Sequence, residues 1–519
     1  MAVQEGIDYV SELISKYVPD EIHNYIPESM ISRTLLVGTT TGILAYLIFK
    51  KRYKLPPGPW SLPIIGHRMF ASDENIARKW FDLSKIYGPV LTVYMGPSPV
   101  VVLNNIESVN EALLKKGAQF AGRFAFYSAD QLFHNSEDII FSRYSTGWKL
   151  RRKIASRAIR LFMVNGNFNQ KIEDAVKKTV DTMLKEKGAF DPKPYLFYTT
   201  LNIIAAMCFG KCYGYEDKEY RDLLRDLDRF GEVNGDGFVF ENIFPWFAGL
   251  YKTRRYRQLE VITNGFIAFI EQKVNVHKEK FVPGQIHDFT DSLLQAAIEI
   301  EAEGEDNMTN FEPIHIVLTV LDIFFAGNDT SRQTLLYSLM YTIGVPGIQQ
   351  KLQQEVDSVI GKDRYPTTDD RDNLPYSSAV LQEAMRMGPV VPAGVPHTTT
   401  CDTTLGEYEI PKDTMVIINH YAMHNDPNKW EEVDRFKPER YLDEDGKLAP
   451  KPESWLPFSA GRRVCLGEPL AKPELQLIIA SLFQRLEFSP EPGTQIDMEL
   501  VEKNVTITPK PFKVVVKKR

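Results

Sequence analysis

Cysteine is scarce, with four residues in 519, Cys208, Cys212, Cys401 and Cys465, and no C-x-x-C pair among them. That rules out a disulfide framework and suggests a reducing compartment for the bulk of the chain. An excess of positive charge is also missing. The 61 Lys and Arg against 68 Asp and Glu leave a net charge of −7, so no global basic field argues for nucleic acid, and any basic partner surface must be local. There is no internal repeat and no low-complexity tract, which excludes solenoids and disordered linkers as the main architecture. A basic segment leading directly into an apolar run at Met1 is absent as well, so the pattern of a cleaved signal peptide is not met. The remainder is ordinary globular composition, 43% hydrophobic and 25% charged, long enough for one very large domain or a few smaller ones.

The longest charge-free apolar run lies near the start. Residues 1–30 form an acidic leading segment broken by Pro19 and Pro27, and residues 31–49 are long enough to span hydrocarbon, with Arg33 able to snorkel at the edge. Lys50, Lys51, Arg52 and Lys54 follow at once. By the positive-inside rule this places residues 1–30 in the lumen, residues 31–49 as a retained transmembrane anchor, and everything after them in the cytoplasm. Residues 50–60 are a basic and proline-rich hinge. Leu55-Pro56-Pro57-Gly58-Pro59 can be neither helix nor strand and is expected to be a stiff extended spacer. Residues 61–519 form the body.

Within the body, Ser72 is the expected N-cap of a helix that runs through Tyr87 and stops at Gly88-Pro89. A hairpin follows, Val90 to Met95 and Val100 to Leu103 around Gly96-Pro97-Ser98-Pro99. Helical periodicity then dominates as far as Gly361, and short strands return between Thr398 and Asn419. The fold class is mainly α with a smaller β region. Cys208 and Cys212 share a helical face as small apolar groups. The longest helix is expected from Glu312 to about Gly344, capped by Asn310 with Pro313 in its first turn. Asp322, Asn328, Asp329, Arg332 and Gln333 interrupt its apolar residues, so it reads as a buried core helix rather than a membrane span.

The chemistry centres on residues 458–467, Phe-Ser-Ala-Gly-Arg-Arg-Val-Cys-Leu-Gly. Apolar spacing from Glu468 to Leu486 predicts a helix, which puts Cys465 at its N-terminus, where the helix dipole and unpaired N–H groups favour a thiolate. The guanidinium of Arg463 is expected to favour it further. Gly461 and Gly467 let the backbone come close to something flat. A lone cysteine cannot close a structural zinc site, whereas one thiolate on a metal with its own ligand set suits haem. His420 and His424 have metal-ligand spacing, but no Glu follows His420 and Pro427 closes the segment, so zinc is not expected there.

The string F-x-x-G-x-R-x-C-x-G resembles the haem-binding signature of the cytochrome P450 family at every specified position. The resemblance implies a haem-thiolate monooxygenase fold with haem b bound through iron to Cys465, a ligand that favours O–O cleavage. Ala326-Gly327-Asn328-Asp329-Thr330-Ser331, in the longest helix, is similar to that family's oxygen-binding motif. Here a small residue pair lets a flat group approach and a local bulge is expected. By the resemblance Thr330 holds the hydrogen bonds of the bound oxygen, and Asp329 passes protons from solvent. Glu383 and Arg386, at i and i+3, match the E-x-x-R helix, which closes a buried triad with Arg440 of Phe436-Lys437-Pro438-Glu439-Arg440. Haem propionates need cations and donors, and by the same resemblance Arg123, Trp148, Arg152, His397 and Arg463 supply them.

The resemblance runs from Leu55 to Lys518 and is to animal microsomal members, among them steroid 17-alpha-hydroxylases and xenobiotic-oxidising relatives. It implies an endoplasmic reticulum membrane location, electrons from NADPH through a flavoprotein reductase, possible use of cytochrome b5, and a hydrophobic, steroid-like substrate. Broad xenobiotic or fatty-acid oxidation is the alternative. A haem-binding carrier or an isomerase fits less well, since Asp329 and Thr330 are intact. Two departures stand out: Pro473, expected to kink the helix after Cys465, and Gly388, where relatives commonly carry arginine. From their places beside the motifs, Ile140, Phe141, Phe325, Ala326, Val390, Ala393, Val395, Val505 and Thr506 are expected to wall the pocket. Lys149, Arg151, Arg152, Lys153, Arg157 and Arg160 crowd one helix. Arg152 is expected to turn inward, leaving Lys149, Lys153, Arg157 and Arg462 as a docking patch for an acidic reductase. The sequons at Asn307, Asn328 and Asn504 are expected to be unused.

Overall fold

The computed structural model describes residues 53–519 apart from 63, 68–74, 165–167, 236–239, 303–310 and 503–506. The expected lumenal segment 1–30 and the anchor 31–49 lie outside the described residues, as do Ser72, Asn307, Asn310 and Asn504. Among the described residues no helix is long and apolar enough to cross a membrane.

One helix, Pro313–Gly344, organises the rest. Its 32 residues extend about 48 Å at 1.5 Å per residue. The helices Lys193–Phe209, Arg254–Lys280, Pro375–Met387 and Glu468–Arg485 all pack on it, so its apolar residues form no single stripe. Pro313 occupies the first turn, and Glu312 is the N-cap. Glu312 exchanges hydrogen bonds with His315, whose Nδ1 accepts from the Glu312 N–H at 2.8 Å. The neighbouring helix Lys193–Phe209 ends at Gly210 in the left-handed region, φ 60°. Cys208 is buried there, whereas Cys212 lies beyond the stop and is exposed, so the two do not share a helical face.

The strands are β1 Val90–Met95, β2 Ser98–Leu103, β3 Gly122–Arg123, β4 His397–Thr398, β5 Thr403–Leu405, β6 Tyr408–Ile410 and β7 Met415–Ile418; the main sheet has the order β1-β2-β7-β4-β3, and β5 and β6 pair as a separate hairpin. The β1–β2 turn is tighter than expected, with only Gly96 and Pro97 between the strands. Pro99 pairs with Tyr94 of β1, and the parallel pairing to β7 begins one residue later at Val100, so its missing N–H costs no bond on that side. The pairing of β3 with β4 sets Arg123 directly opposite His397. The proline-rich hinge is extended but is not a free spacer. The Thr92 N–H donates to the Pro57 carbonyl at 2.9 Å, covering the outer edge of β1, and the Glu409 N–H donates to the Lys54 carbonyl at 2.9 Å.

Three local expectations change. Asn75 rather than Ser72 caps the helix Ile76–Tyr87, its side chain accepting from the Arg78 N–H. The helix Glu468–Arg485 runs unbroken through Pro473, because one lost backbone bond is outweighed by burial of nearly the whole segment. The C-terminal strands Leu486–Pro490 and Val514–Lys518, paired antiparallel, follow where no strand was expected. Gly388 also has a steric reason: a Cβ there would sit 2.6 Å from ring atoms of the buried Tyr337 on the long helix. Gly388→Ala should therefore destabilise the fold by about 1–3 kcal/mol through overpacking. A thermal unfolding midpoint equal to wild type would contradict this.

Candidate functional site

The cysteine loop is built by its own backbone. The Cys465 N–H donates to the Phe458 carbonyl at 2.9 Å, and Ser459 and Gly461 take positive φ of 60° and 71° to turn the chain between them. A Cβ on Gly461 would overlap the Leu113 carbonyl oxygen, so this glycine serves close packing against residue 113 and does not line the cavity. Gly467 is the N-cap of the helix Glu468–Arg485 and does line it, as does Cys465. Cys465 is exposed to the cavity but enclosed by protein. Burial pushes its thiol up, while the N–H groups of Gly467 and Glu468 and the charge of Arg152 pull it down. Arg463 is not the cation at the sulfur. Arg152 is, donating to the Val464 carbonyl one residue away. A metal ion bound at the sulfur would outweigh the burial, because coordination deprotonates a thiol outright.

Arg463 turns the other way. It donates to the carbonyls of Ala121 at 2.8 Å and Ser142 at 2.6 Å, and its guanidinium lies 3.8 Å from the centre of the Trp148 ring. Trp148 donates from Nε1 to the Ile139 carbonyl at 3.0 Å and does not line the cavity, so it supports Arg463 rather than facing a bound group. Arg123, Arg152, His397 and Arg463 all line it. Arg123 donates to the carbonyls of Ile140 at 2.9 Å and Val395 at 3.1 Å. Burial lowers Arg123 to about 9, with Arg152 adding to the effect, and lowers Arg463 to about 8, helped by Arg123 and Arg152. The acid that offsets both is Asp138, itself raised to about 6 by burial. Burial likewise drives His397 well below its ordinary value, so it is neutral and donates from Nδ1 to the Phe120 carbonyl at 2.8 Å.

Of the acids near these three guanidiniums, burial pushes Asp322 well up, Glu474 to about 8 and Asp138 to about 6, so a buried excess of positive charge is left, and buried charges require partners. A flat group carrying two carboxylates beside a thiolate-bound metal satisfies that demand. The donor set therefore fits haem b.

Across the cavity stands the long helix. Asp322, Ala326 and Thr330, at i, i+4 and i+8, share its cavity-lining face. Thr330 donates from Oγ1 to the Ala326 carbonyl at 2.7 Å, but the helix remains regular and no bulge forms. Gly327 has a second use, since its missing Cβ would meet Ile204 Cδ1 at 3.1 Å, allowing the helix Lys193–Phe209 to pack closely. Asp329 is absent from the lining and pairs with Arg332 instead. Asn328 is fully buried and bonded to Thr200 at 2.5 Å, which seals its sequon.

The cavity measures about 310 Å³. Of the expected wall, Ile140, Ala326, Val390 and Val395 line it, joined by Ile139 and Ile204. Phe141, Phe325 and Ala393 do not. Phe141 stacks on Phe133 with centroids 5.7 Å apart, Phe325 packs against Phe266 in a tilted pair at 4.1 Å, and Ala393 packs at the edge of the core formed by β1, β2 and β7. Val505 and Thr506 lie outside the described residues. Two acids that the sequence reading left out of the site, Asp322 and Glu474, line the cavity. The spacing of Asp322 from Ala326 and Thr330 was the available signal.

The structure brings Glu383, Arg386 and Arg440 together. Glu383 and Arg386 are fully buried, with Arg386 Nε 2.8 Å from Glu383 Oε2 and Arg440 Nε 3.0 Å from Oε1. Arg386 also donates to the His424 carbonyl at 3.0 Å, and His424 Nε2 accepts the Leu456 N–H at 3.0 Å. His424 thus links the triad to the chain entering the cysteine loop.

Fold and site together define a haem-thiolate protein. The family model described as Cytochrome P450 matches residues 56–516. Cytochrome P450 1A1 of Rattus norvegicus is 33% identical over 487 residues, covering 89% of this chain and 91% of that protein. Cytochrome P450 1A1 of Limanda limanda is 36% identical over 488 residues, covering 89% and 92%. Steroid 17-alpha-hydroxylase/17,20 lyase of Ictalurus punctatus is 35% identical over 480 residues, covering 90% and 91%. The chain belongs to the cytochrome P450 family, is of the animal microsomal type, and has that family's cofactor, haem b bound by a cysteine thiolate.

Glu383→Ala should cost roughly 3–5 kcal/mol, because it strands the fully buried guanidinium of Arg386 and leaves that of Arg440 without its acid. Chemical unfolding of the purified variant measures this, and a loss below about 1 kcal/mol, the range of an exposed pair, would contradict it.

Proposed function

We propose that the protein is a microsomal monooxygenase that inserts one oxygen atom from O2 into a flat, hydrophobic, steroid-like molecule, using NADPH electrons delivered by a flavoprotein reductase. The observation that carries this reading is that Thr330 and Cys465 line one cavity whose remaining walls are largely apolar. Such a lining favours a flat apolar ligand. In this reading Cys465 holds the haem iron, and Arg123, Arg152, His397 and Arg463 surround the propionates, with Trp148 supporting Arg463. Thr330 positions the oxygen, and Asp329 supplies protons. The haem provides the oxygen-activating chemistry. The relatives do not choose the substrate, since proteins with two different names match at 36% and 35% identity.

The body sits on the endoplasmic reticulum membrane in this proposal, with residues 31–49 as its single anchor. Trp60, Trp246 and Leu250 are large exposed apolar side chains that suit contact with the bilayer surface. The reductase approaches the helix Thr146–Val164. Lys149, Lys153, Arg157 and Arg160 are exposed there. Arg151 joins Arg152 in turning inward, donating to Ser142 Oγ at 2.8 Å. Lys149 and Arg462 both lie over the Tyr144 ring, at 4.8 and 5.9 Å, which continues the basic patch to the cysteine loop. Cytochrome b5, where it serves, uses the same face.

Haem spin state tests the substrate class. Steroids should convert the haem from low to high spin, and a shift with planar polycyclic drugs or fatty acids and no steroid would overturn the steroid reading. Lys149→Glu with Lys153→Glu should slow reductase-supported turnover at low salt and spare peroxide-driven turnover. The effect should fade with salt, because charges are screened over about 8 Å at physiological ionic strength. Equal loss in both assays would mean damage to the haem site, and no loss in either would remove this helix from the docking surface.

A further inference from the structure

The end of the helix Arg254–Lys280 and the start of the helix Phe289–Ala302 meet at His277, His287, Asp288 and Asp291, none of which lines the haem cavity. Asp288 and Asp291 are buried, His277 is largely buried, and His287 is exposed on the loop between the helices. His277 Nε2 lies 2.8 Å from Asp288 Oδ2, and His287 Nδ1 lies 3.1 Å from Asp291 Oδ2. One ligand atom each from His277, Asp288 and Asp291 falls within 4.8 Å of the other two. Among the described residues neither acid is paired with a lysine or an arginine. Lys273, one turn before His277, pairs instead with Glu219 at 2.5 Å. Two buried carboxylates therefore face imidazoles alone, and buried charge needs a cationic partner.

The hydrogen bonds fix how these groups point. His277 Nδ1 lies 3.0 Å from the Lys273 carbonyl, which can only accept, so Nδ1 carries the hydrogen and the Nε2 lone pair is aimed at a carboxylate oxygen. Two acceptors at that distance are held together only by a cation between them, a proton or a metal ion. A histidine tied to a carbonyl at one nitrogen and open at the other has the arrangement of a metal ligand. Both carboxylates are oriented in the same way. Asp288 Oδ1 accepts the Asp291 N–H at 2.9 Å, and Asp291 Oδ2 accepts the His287 N–H at 3.0 Å. Tetrahedral zinc, with bonds of about 2.0–2.1 Å, sets its ligand atoms about 3.3 Å apart. That spacing falls between the 2.8 Å and the 4.8 Å found here.

We propose that His277, His287, Asp288 and Asp291 form a zinc-binding site that joins the two helices. Two imidazole nitrogens and two carboxylate oxygens suit zinc, whereas calcium and magnesium take oxygen ligands. The exposed His287 closes the site last and gives the ion its way in. The clamp reaches a third helix as well. Thr290 donates from Oγ1 to the Cys208 carbonyl at 2.6 Å, near the end of the helix Lys193–Phe209, and a Cβ on Gly210 would lie 3.6 Å from Asp288 Oδ2. Earlier on the helix that carries His277, Phe269 packs on Phe324 of the long helix with centroids 5.9 Å apart. Zinc would thus brace helices that support the long one. The site does not depend on the monooxygenase reading.

The test uses the full-length haem protein, stripped with a chelator and dialysed against zinc chloride. Elemental analysis should show saturable uptake of a single zinc ion for each haem iron, and the bound zinc should raise the thermal midpoint, since it binds only the folded chain. Calcium or magnesium chloride should do neither. His277→Gln and Asp291→Asn should each weaken zinc binding by on the order of 100-fold, with the haem content unchanged. His287 is exposed, so His287→Ala keeps the fold even if the buried variants do not, and it gives a structural readout. X-ray absorption at the zinc edge should show two imidazole ligands in the wild type and a single one in His287→Ala. Uptake that never saturates, equal binding of calcium, zinc held equally by the wild type, His277→Gln and Asp291→Asn, or two imidazoles remaining in His287→Ala would overturn the proposal.

Discussion

The constraint on which the rest of the structure depends is positive charge sealed inside protein. Arg123, Arg152 and Arg463 line one cavity, burial lowers all three, and Asp138 is the acid that offsets Arg123 and Arg463. Such a group of cations would be costly in a finished core, because desolvated charge without a partner destabilises by several kcal/mol per ion. It becomes favourable when two carboxylates arrive. Much of the surrounding architecture serves to hold these side chains still. The pairing of β3 with β4 sets Arg123 opposite His397, backbone carbonyls fix Arg463 against the Trp148 ring, and the Val464 carbonyl anchors Arg152 beside the thiol.

Rigidity is needed on both sides of the cavity, and two different devices provide it. On one side the helix Pro313–Gly344 is enclosed by the helices packed around it, so Ala326 and Thr330 meet the cavity from a backbone that is fixed elsewhere. On the other, the cysteine loop is a short irregular segment with two left-handed residues, which has little stability of its own. Its support comes from the buried Glu383–Arg386–Arg440 cluster through His424 and Leu456. Burying such a cluster is no route to extra stability by itself. Its value here is that the fixed forks of the two arginines join several chain segments at defined angles.

The sequence was readable where chemistry is set by local spacing. A cysteine before a helix, an acid and a hydroxyl in an apolar helix, and a glutamate three residues before an arginine each impose a pattern that survives without knowledge of the fold. Positions whose meaning depends on side-chain direction were not readable. Phe141 and Phe325 neighbour cavity residues in sequence, yet they turn toward Phe133 and Phe266, because each ring gains more by packing in a core than by facing an opening. Gly461 belongs to the cysteine string but answers to the Leu113 carbonyl. Cys212 falls past the Gly210 stop, which a periodic reading carries straight through. Asp322 was visible as a polar break in an apolar helix, and only the packing of residues 137–142 against that helix puts it in the site, with the Ile139 N–H donating to it at 2.6 Å.

If the buried guanidiniums exist to receive two carboxylates, the charge on those carboxylates must matter more than the flat apolar body that carries them. The most direct measurement is to express the protein in haem-deficient cells and supply either haem b or its dimethyl ester, which keeps iron, ring and shape but removes both negative charges. Retention of the cofactor through gel filtration is then read from the absorbance. The account predicts that haem b is retained and the dimethyl ester is lost. Equal retention of the two would contradict it.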